Sequence, residues 1–282
     1  MRFTIIGSGG CVCLPKPLCQ CEVCVEARQK GGRYKRYGCS LYLEDAALLV
    51  DTPEDIAHAL NAANIREVER VLFTHNDPDH TMGIRIFEQL RLDWLDFSEN
   101  IPPRSAVDVY ATPEVMETLN GIGVGRGAML DYYEEMGLAR RRFLTEPLNI
   151  NGIKISAIPV EKAQPVSVFI FEEGSRKVIY APCDCKPFPM SEAMRGADLL
   201  IIGNTFVGDI FKNGRVLGAD NLFRRELHSM DDVLEIKSKL SIKNVIITHI
   251  EEDWGKSYDD YIALEEEYPG VRFAYDGMKV EV

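Results

Sequence analysis

Short apolar segments recur along the chain and predict β-strands at residues 3–6, 41–43, 48–50, 71–73, 107–110, 153–160, 166–171, 178–180, 199–202 and 245–247. Segments with helical spacing of apolar residues lie between them, at residues 53–61, 82–90, 113–119, 190–195, 231–240 and 258–267. Short polar turns at residues 44–45 and 173–175 favour antiparallel hairpins. This mixture predicts a layered α/β fold in which helices cover the sheets.

The composition is typical of a globular protein with a large core. Hydrophobic residues make up 46% of the 282 residues and charged residues 27%, which permits one large domain or two small ones. A formal net charge of −12 argues against nucleic acid as a partner, because phosphate binding needs an excess of Lys and Arg. No signal peptide and no membrane-spanning apolar run is recognisable, so we expect a cytoplasmic protein without a membrane partner.

Residues 74–80, with the sequence THNDPDH, carry the strongest chemical signal. His75, Asp77, Asp79 and His80 directly follow a predicted buried strand. A lone pair of such residues is more often a helix cap or a surface ion pair. Four of them in six positions indicate a metal site, because imidazole and carboxylate together are ligands of zinc, iron or manganese.

Further candidate ligands follow other predicted strands. Asp51, Asp184 and His249 each come shortly after an apolar segment. One Asp after a strand is usually a turn residue. However, strands of one sheet edge end together, so these side chains are expected to converge with His75. Asp51 is placed to orient a metal-bound histidine from behind.

The eight cysteines are unevenly distributed, and five of them lie between Cys11 and Cys24. Cys19, Cys21 and Cys24 offer three thiolates within six positions, so a tetrahedral structural zinc needs one more ligand. Their neighbours are polar and loop-like. Burial of the cysteines as small apolar side chains therefore explains this segment less well than a metal does.

Together these motifs resemble the metallo-β-lactamase-fold proteins, especially the branch of the cyclic phosphodiesterase that accompanies carbon–phosphorus lyase, with the pyrroloquinoline-quinone biosynthesis B protein nearby. The shared segments are GSGG at residues 7–10, the Cys19–Cys21–Cys24 insertion, residues 74–80, Thr248-His249, and YDGM at residues 275–278. The resemblance implies a four-layer αββα sandwich with metal at one sheet edge. It also implies a single domain of residues 1–282, with a cysteine-rich structural-metal insertion at 11–39 and a peripheral insertion at 121–144.

The metal ligands that the resemblance implies include two departures from the family pattern. Asp77 stands in place of the second histidine, and a further histidine is replaced by Lys162, which cannot coordinate a metal when protonated. The first metal position, with His75 and Asp77, is therefore incomplete. The second position keeps its ligands, which are Asp79, His80 and His249, with Asp184 bridging or turned inward. We expect one or two divalent ions (Zn, Mn or Fe), the second position being firmly held and Lys162 supplying charge near the first.

The resemblance implies two further roles. His228 matches a general-acid histidine, since an imidazole with a near-neutral pKa can protonate a leaving alkoxide. Glu252 occupies the position of the fourth ligand of the structural zinc. Five cysteines have no assignment: Cys11, Cys13, Cys39, Cys183 and Cys185. Because Cys11 follows the glycine loop and Cys183 and Cys185 flank Asp184, these three are either inert packing or a redox-sensitive or soft-metal locus near the active site.

Three functional classes remain open. The first is a metal-dependent hydrolase of small phosphodiesters, including cyclic ones, or of related esters, in which Asp79 orients or deprotonates water and Lys162 holds a phosphate oxygen. The loss of two ligand histidines favours a non-hydrolytic cofactor-biosynthesis or binding protein. Asp77 and the cysteine surplus favour an iron-dependent oxidoreductase. The acidic charge disfavours tRNA processing, and a homodimer is allowed by the sequence.

Overall fold

The computed structural model describes residues 1–125 and 127–282 and contains two large β-sheets. Its strands are β1 (Arg2–Gly7), β2 (Ser40–Leu43), β3 (Leu48–Val50), β4 (Arg70–Leu72), β5 (Val107–Ala111), β6 (Gly123–Val124), β7 (Gly127–Ala128), β8 (Ala139–Phe143), β9 (Leu148–Ile150), β10 (Ile153–Pro159), β11 (Ser167–Glu173), β12 (Arg176–Ala181), β13 (Leu199–Ile202), β14 (Thr205–Phe206), β15 (Ile210–Phe211), β16 (Arg215–Val216), β17 (His228–Ser229), β18 (Asn244–Ile247), β19 (Val271–Phe273) and β20 (Met278–Glu281). Its helices are α1 (Glu22–Lys30), α2 (Ile56–Ala62), α3 (Pro78–Thr81), α4 (Ile86–Arg91), α5 (Trp94–Ser98), α6 (Pro113–Leu119), α7 (Met129–Glu135), α8 (Leu222–Glu226), α9 (Met230–Lys239) and α10 (Tyr258–Glu267).

The two sheets have related strand arrangements. The first has the order β20-β1-β2-β3-β4-β5-β8 and is antiparallel from β20 to β3 and parallel from β3 to β8. The second has the order β19-β18-β13-β12-β11-β10-β9 and is parallel from β19 to β12 and antiparallel from β12 to β9. In each sheet the parallel strands deliver the residues that follow them to one edge, where ligands commonly bind in such folds.

Three apolar cores separate the layers. The core between the sheets contains Phe3 and Leu41 from one sheet and Phe169 from the other. Helices α2, α4, α6 and α7 pack on the outer face of the first sheet. Helices α9 and α10 cover the second sheet through residues such as Val233 and Tyr261. These layers confirm the predicted α/β class and the four-layer αββα sandwich.

The apolar pattern predicted the central strands correctly, but it also predicted one helix that does not form. Each predicted strand is present, with ends shifted by at most two residues. The predicted helix at 190–195 is wrong. Only a 3₁₀ turn forms at Glu192–Met194, because Ser191 caps a single turn and Gly196, with φ of 71°, ends the segment.

The segment predicted as a peripheral insertion, residues 121–144, contributes to the first sheet. Its position 126 lies outside the described residues. Helix α7 buries Leu130 and Tyr133, and β8 pairs with β5. Strand β8 is not recognisable from the sequence because it contains Arg140 and Arg142, which bind Asp108 on β5 at the sheet edge.

The cysteine-rich segment 11–39 lies between β1 and β2 and includes α1. Leu14, Val23, Cys24 and Ala27 form a small apolar cluster separate from the main cores. Among residues 1–125 and 127–282, no helix combines the length and the apolar character needed to cross a membrane.

Candidate metal centre

The candidate ligands meet where the parallel strands of both sheets end. His75 follows β4, and His249 follows β18. Asp79 and His80 lie on α3, the short helix after His75, which begins at Pro78 in the position favoured for proline. All three histidine side chains are fully buried. A strand from each sheet thus supplies one histidine to the same point.

The ligand atoms of Asp79, His80 and His249 are spaced as metal ligands are. The Nε2 atoms of His80 and His249 lie 3.2 Å apart. Asp79 Oδ2 lies 3.2 Å from Nε2 of His249 and 3.5 Å from Nε2 of His80. Tetrahedral zinc with bonds of about 2.0–2.1 Å places its ligand atoms roughly 3.3–3.4 Å apart. The donor set and its spacing therefore fit one divalent cation.

Asp51 fixes the orientation of this group from behind. Its Oδ2 accepts hydrogen bonds from His80 Nδ1, at 2.9 Å, and from Thr74 Oγ1, at 2.7 Å. Its Oδ1 accepts from the Thr74 amide. Because Nδ1 of His80 carries the proton, Nε2 presents its lone pair inward, as a metal ligand requires.

His75 is oriented by the same network. Since the Thr74 hydroxyl donates to Asp51, its oxygen accepts from His75 Nδ1 at 2.8 Å. The buried Nε2 of His75 has no hydrogen-bond partner among the described residues. Asp77 Oδ2 lies 3.6 Å from this nitrogen, and its other oxygen accepts from the Gln164 amide. The unpartnered lone pair of His75 and the carboxylate of Asp77 face each other, and this arrangement is a second position that favours a cation.

Glu251 lies behind His249. Its Oε1 is 3.3 Å from His249 Nδ1, and the carboxylate also accepts from the Cys11 amide. A Cβ at Gly10 would come within 2.1 Å of this carboxyl group. The glycine loop after β1 therefore allows Glu251 to approach the site.

The electrostatics of the site favour a bound cation. Burial lowers the pKa of His80, but the charge of Asp51 outweighs it and raises this pKa to about 10. Burial raises the pKa of Asp79, yet His249 and His80 bring it well below its usual range. Nε2 atoms 3.2 Å apart cannot both carry protons without repulsion. A metal ion satisfies both lone pairs at once.

The expected role of Asp184 is not met by the geometry. Its side chain is partly exposed and accepts a hydrogen bond from Lys162 Nζ at 2.9 Å. The neighbouring Cys183 is buried instead and lies with His75 and His80 in one ligand group. Both residues lie in the turn after β12, where Asp184 has φ of 51°, so the Cys183 side chain faces the centre and the Asp184 side chain faces away from it. The sequence left Cys183 open between inert packing and a soft-metal locus, and the structure places its sulfur beside these two histidines.

His228 is buried beside this turn. Its Nε2 donates to the Cys185 carbonyl at 3.3 Å, while Nδ1 has no partner among the described residues. Burial lowers the pKa of His228 to about 4. The expectation of a near-neutral pKa is therefore wrong, and the ring is neutral at pH 7 with a free lone pair on Nδ1.

Lys162 lies between acidic groups and a cavity. Besides Asp184, it lies 3.9 Å from Glu226. It also lines a cavity of about 510 Å³, whose other walls include Thr112, Leu144 and Pro159. This volume lies in the range of small-molecule sites.

A second group of candidate ligands joins the cysteine-rich segment to the turn after His249. Glu252 Oε1 lies 3.1 Å from the sulfur atoms of Cys19 and Cys21 and 3.2 Å from that of Cys24. Three sulfurs around one buried carboxylate oxygen supply the four ligands of a tetrahedral zinc site.

Lys212 partly balances the charge of this cluster. Its Nζ binds Glu252 Oε2 at 2.7 Å and lies 3.5 Å from the sulfur of Cys19. Burial raises the pKa of Glu252, but Lys212 and the thiols lower it to about 2. The carboxylate is therefore ionised at neutral pH. Cys13 and Cys39 lie outside both groups and contact Pro15 and Tyr180.

Comparison with known sequences gives one family. Residues 47–250 match the sequence model of the beta-lactamase superfamily domain. No protein with a curated description matches the sequence significantly.

Solved structures resemble the whole chain. A diphosphatase described as a member of the PhnP family superposes with a TM-score of 0.70 at 20% identity, covering 100% of this chain and 97% of the other. Zinc-bound PqqB from Methylobacterium extorquens gives 0.68 at 19%, with 100% of both chains covered. The short form of human tRNase Z gives 0.64 at 14%, covering 100% and 99%. At these identities the likeness establishes the fold alone.

Proposed function

The chain belongs to the beta-lactamase superfamily, and from this premise we propose that it is a metal-dependent hydrolase of small phosphodiesters, including cyclic ones. One observation carries the proposal. Asp79, His80 and His249 place three ligand atoms 3.2–3.5 Å apart at the meeting point of the two sheets. That spacing suits one divalent ion, and Asp51 holds the inward-facing tautomer of His80.

The residues around the ion would divide the work of hydrolysis. A divalent ion held there would supply Lewis acidity and lower the pKa of water. The second oxygen of Asp79 is available to orient a water molecule or take its proton. Lys162, whose Nζ binds Asp184 in the turn that contains Cys183, offers a point charge for a phosphate oxygen.

His228 would act on the leaving group once substrate is bound. Its neutral ring presents a buried lone pair on Nδ1. The negative charge of a phosphodiester would raise its pKa, since an adjacent opposite charge favours the protonated form. The ring could then donate a proton to the departing alkoxide. The structural similarity to a PhnP-family diphosphatase supports a phosphate-containing substrate.

A structural zinc in the Cys19, Cys21, Cys24 and Glu252 group is the second part of the proposal. The purified protein is then expected to hold one zinc in this group and one ion in the active site. Elemental analysis measures both. More than one active-site equivalent per chain would contradict the single-ion centre.

The function is tested with bis(p-nitrophenyl) phosphate in the presence of added manganese, nickel or zinc. Turnover is expected for the native protein. In His80→Ala and in His249→Ala, turnover is expected to fall at least about a thousandfold, and each variant is expected to lose one equivalent of metal. His58→Ala, on the exposed face of α2, is the matched control and is expected to keep the native turnover and the native metal content. Loss of the metal without loss of turnover would overturn the proposal.

The alternative is a non-hydrolytic cofactor-biosynthesis or binding protein. The similarity to PqqB and the pairing of Lys162 with Asp184, where the family pattern has metal ligands, favour it. A small molecule that copurifies with the protein, combined with no turnover of any phosphodiester or carboxylic ester, would establish this alternative.

A further inference from the structure

Cys183 occupies a position that the proposed reaction does not use. It follows β12, one of the parallel strands whose ends form the metal centre, and its side chain is buried. Its sulfur lies with the ligand atoms of His75 and His80, all within 4.8 Å of one another. A sulfur atom therefore lies beside two of the three histidines, and one of them, His80, also belongs to the group of Asp79, His80 and His249.

The hydrogen bonding of Cys183 is that of an acceptor. Asn204 Nδ2 donates to its sulfur at 3.2 Å. Asn204 is itself buried and held with φ of 52°, directly after β13. Hydrogen bonds from fixed N–H groups stabilise an ionised acceptor more than a neutral one. The surroundings of Cys183 thus suit a thiolate.

Cys185 shows the opposite arrangement two residues later. Its buried sulfur donates to the Ala181 carbonyl at 3.6 Å, as a thiol does, and it packs in the core beneath the second sheet. The two cysteines are close in sequence and equally buried. They differ in what their sulfur atoms contact, which makes Cys185 a matched control.

We propose that Cys183 is a thiolate ligand of the active-site metal and that this sulfur makes the centre select zinc over manganese or magnesium. Thiolate ligands favour zinc and similar soft ions, whereas carboxylate and water favour the harder ones. The inference rests on the proposed function, since it concerns the same centre. It adds a ligand from the turn in which Asp184 binds Lys162 instead, and it specifies the class of ion.

Cobalt substitution tests the ligand directly. Co²⁺ is loaded into the native protein and into Cys183→Ser, Cys183→Asp and Cys185→Ser, and cobalt per chain is measured beside each near-ultraviolet spectrum. Thiolate-to-cobalt absorption from the Cys19, Cys21 and Cys24 group is common to all four proteins. We expect part of the remaining absorption to disappear in both Cys183 variants and to persist in Cys185→Ser. Cys183→Asp keeps a side chain that can bind cobalt, so a loss of absorption in this variant reports the loss of the thiolate and not the loss of the ion.

Competition between ions tests the selectivity. Zinc and manganese are offered together to the native protein and to Cys183→Asp, and the bound metals are measured. The preference for zinc is expected to fall by at least about tenfold in the variant. Unchanged selectivity, or an unchanged spectrum at equal cobalt content, would overturn the inference and leave the hydrolase proposal standing. If the native protein binds only the one ion of the cysteine cluster and does not hydrolyse phosphodiesters, both the inference about Cys183 and the hydrolase proposal are overturned.

Discussion

Two of the three histidines of the candidate metal centre, His75 and His80, are directed inward by hydrogen bonds at their Nδ1 atoms. Asp51 does this for His80 directly and for His75 through Thr74, and Glu251 lies beside His249. Asp51 has φ of 63°, an uncommon conformation that places its carboxylate under both rings. A single buried carboxylate therefore determines the tautomers of two histidines.

We expect Asp51→Asn to weaken metal binding at the active site by about 10–100-fold. The amide has one acceptor oxygen, whereas Asp51 accepts from the Thr74 amide, the Thr74 hydroxyl and His80. Competition with a chromophoric chelator measures the affinity. Asp45→Asn, in a surface pair with Arg2, is the control. Unchanged affinity in Asp51→Asn would show that the histidines are directed by something else.

His228→Ala is expected to lower kcat by about 10²–10⁴-fold while the metal content stays constant. The reason is the loss of the buried lone pair on His228 Nδ1, which can take up a proton and donate it to the leaving group. Elemental analysis and steady-state kinetics on the same samples separate the two effects. His58→Ala is expected to change neither. Full turnover in His228→Ala would remove this residue from the reaction.

At the residue scale, the sequence predicted most of the candidate ligands that the structure brings together at the ends of the strands. His75 and His249 lie after β4 and β18, and Asp79 and His80 come with the motif. It assigned the wrong residue after β12, since Cys183 faces inward and Asp184 outward. That choice depends on the local backbone, where Asp184 has φ of 51°. Side-chain direction in such a turn cannot be read from residue types alone.

At the scale of elements, the cysteine cluster joins a separate segment to the core of the site. Cys19, Cys21 and Cys24 lie around α1, and Glu252 lies three residues after His249. The apolar cluster under α1 is small. With the proposed structural zinc bound, we expect the segment to depend on the metal for attachment more than on hydrophobic contacts.

Cys24→Ala is expected to remove one zinc equivalent and to lower Tm on the order of 10 °C, because a structural zinc contributes several kcal/mol to folding. Calorimetry with elemental analysis measures both quantities. Cys13→Ala is the control, since its sulfur donates to the Pro15 carbonyl and lies outside the cluster. An unchanged Tm together with unchanged zinc content would contradict the assignment.

Asp276 joins two loops and makes stability depend on pH. It accepts hydrogen bonds from the Ser8 amide at 2.9 Å and the Tyr37 amide at 2.7 Å. Burial outweighs these bonds and raises its pKa from 3.8 to about 6. The folded state therefore binds the proton more tightly than the unfolded state. The resulting stability is fully present below about pH 4 and is lost as pH rises through 6.

The test compares urea unfolding of the native protein and Asp276→Asn at several pH values. The native protein is expected to lose up to about 3 kcal/mol relative to the variant between pH 4 and 7, since each pKa unit corresponds to about 1.4 kcal/mol. Titratable groups that the two proteins share contribute equally to both free energies of unfolding, so their effects cancel in the difference. A difference that does not vary with pH would show that Asp276 titrates normally.

The sequence predicted central strands better than edges and short helices. Strands such as β3 and β13 are continuous apolar runs with both faces buried, which is a strong signal. The edge strand β8 and helix α1 are largely polar, and packing against neighbours rather than their own pattern determines them. Tertiary contacts of this kind are not encoded in local periodicity.

At the scale of the whole molecule, charge limits the choice of substrate. The net charge of −12 repels polyanions at a distance, whereas a small phosphodiester meets only local charges such as Lys162. We expect turnover of bis(p-nitrophenyl) phosphate and no binding of a tRNA precursor at physiological salt. An electrophoretic mobility shift measures the latter. A shift that weakens as salt is added would show a local basic surface and contradict this expectation.

The pairing of β1 with β20 has a consequence for how the protein is made. Strand β1 lies inside its sheet, and one of its two neighbours, β20, is translated long after it. Glu252 likewise follows Cys24 by 228 residues. During synthesis the thiols of Cys19, Cys21 and Cys24 are therefore present long before their carboxylate partner, and the proposed structural zinc gains its full set of four ligands only once Glu252 has been translated.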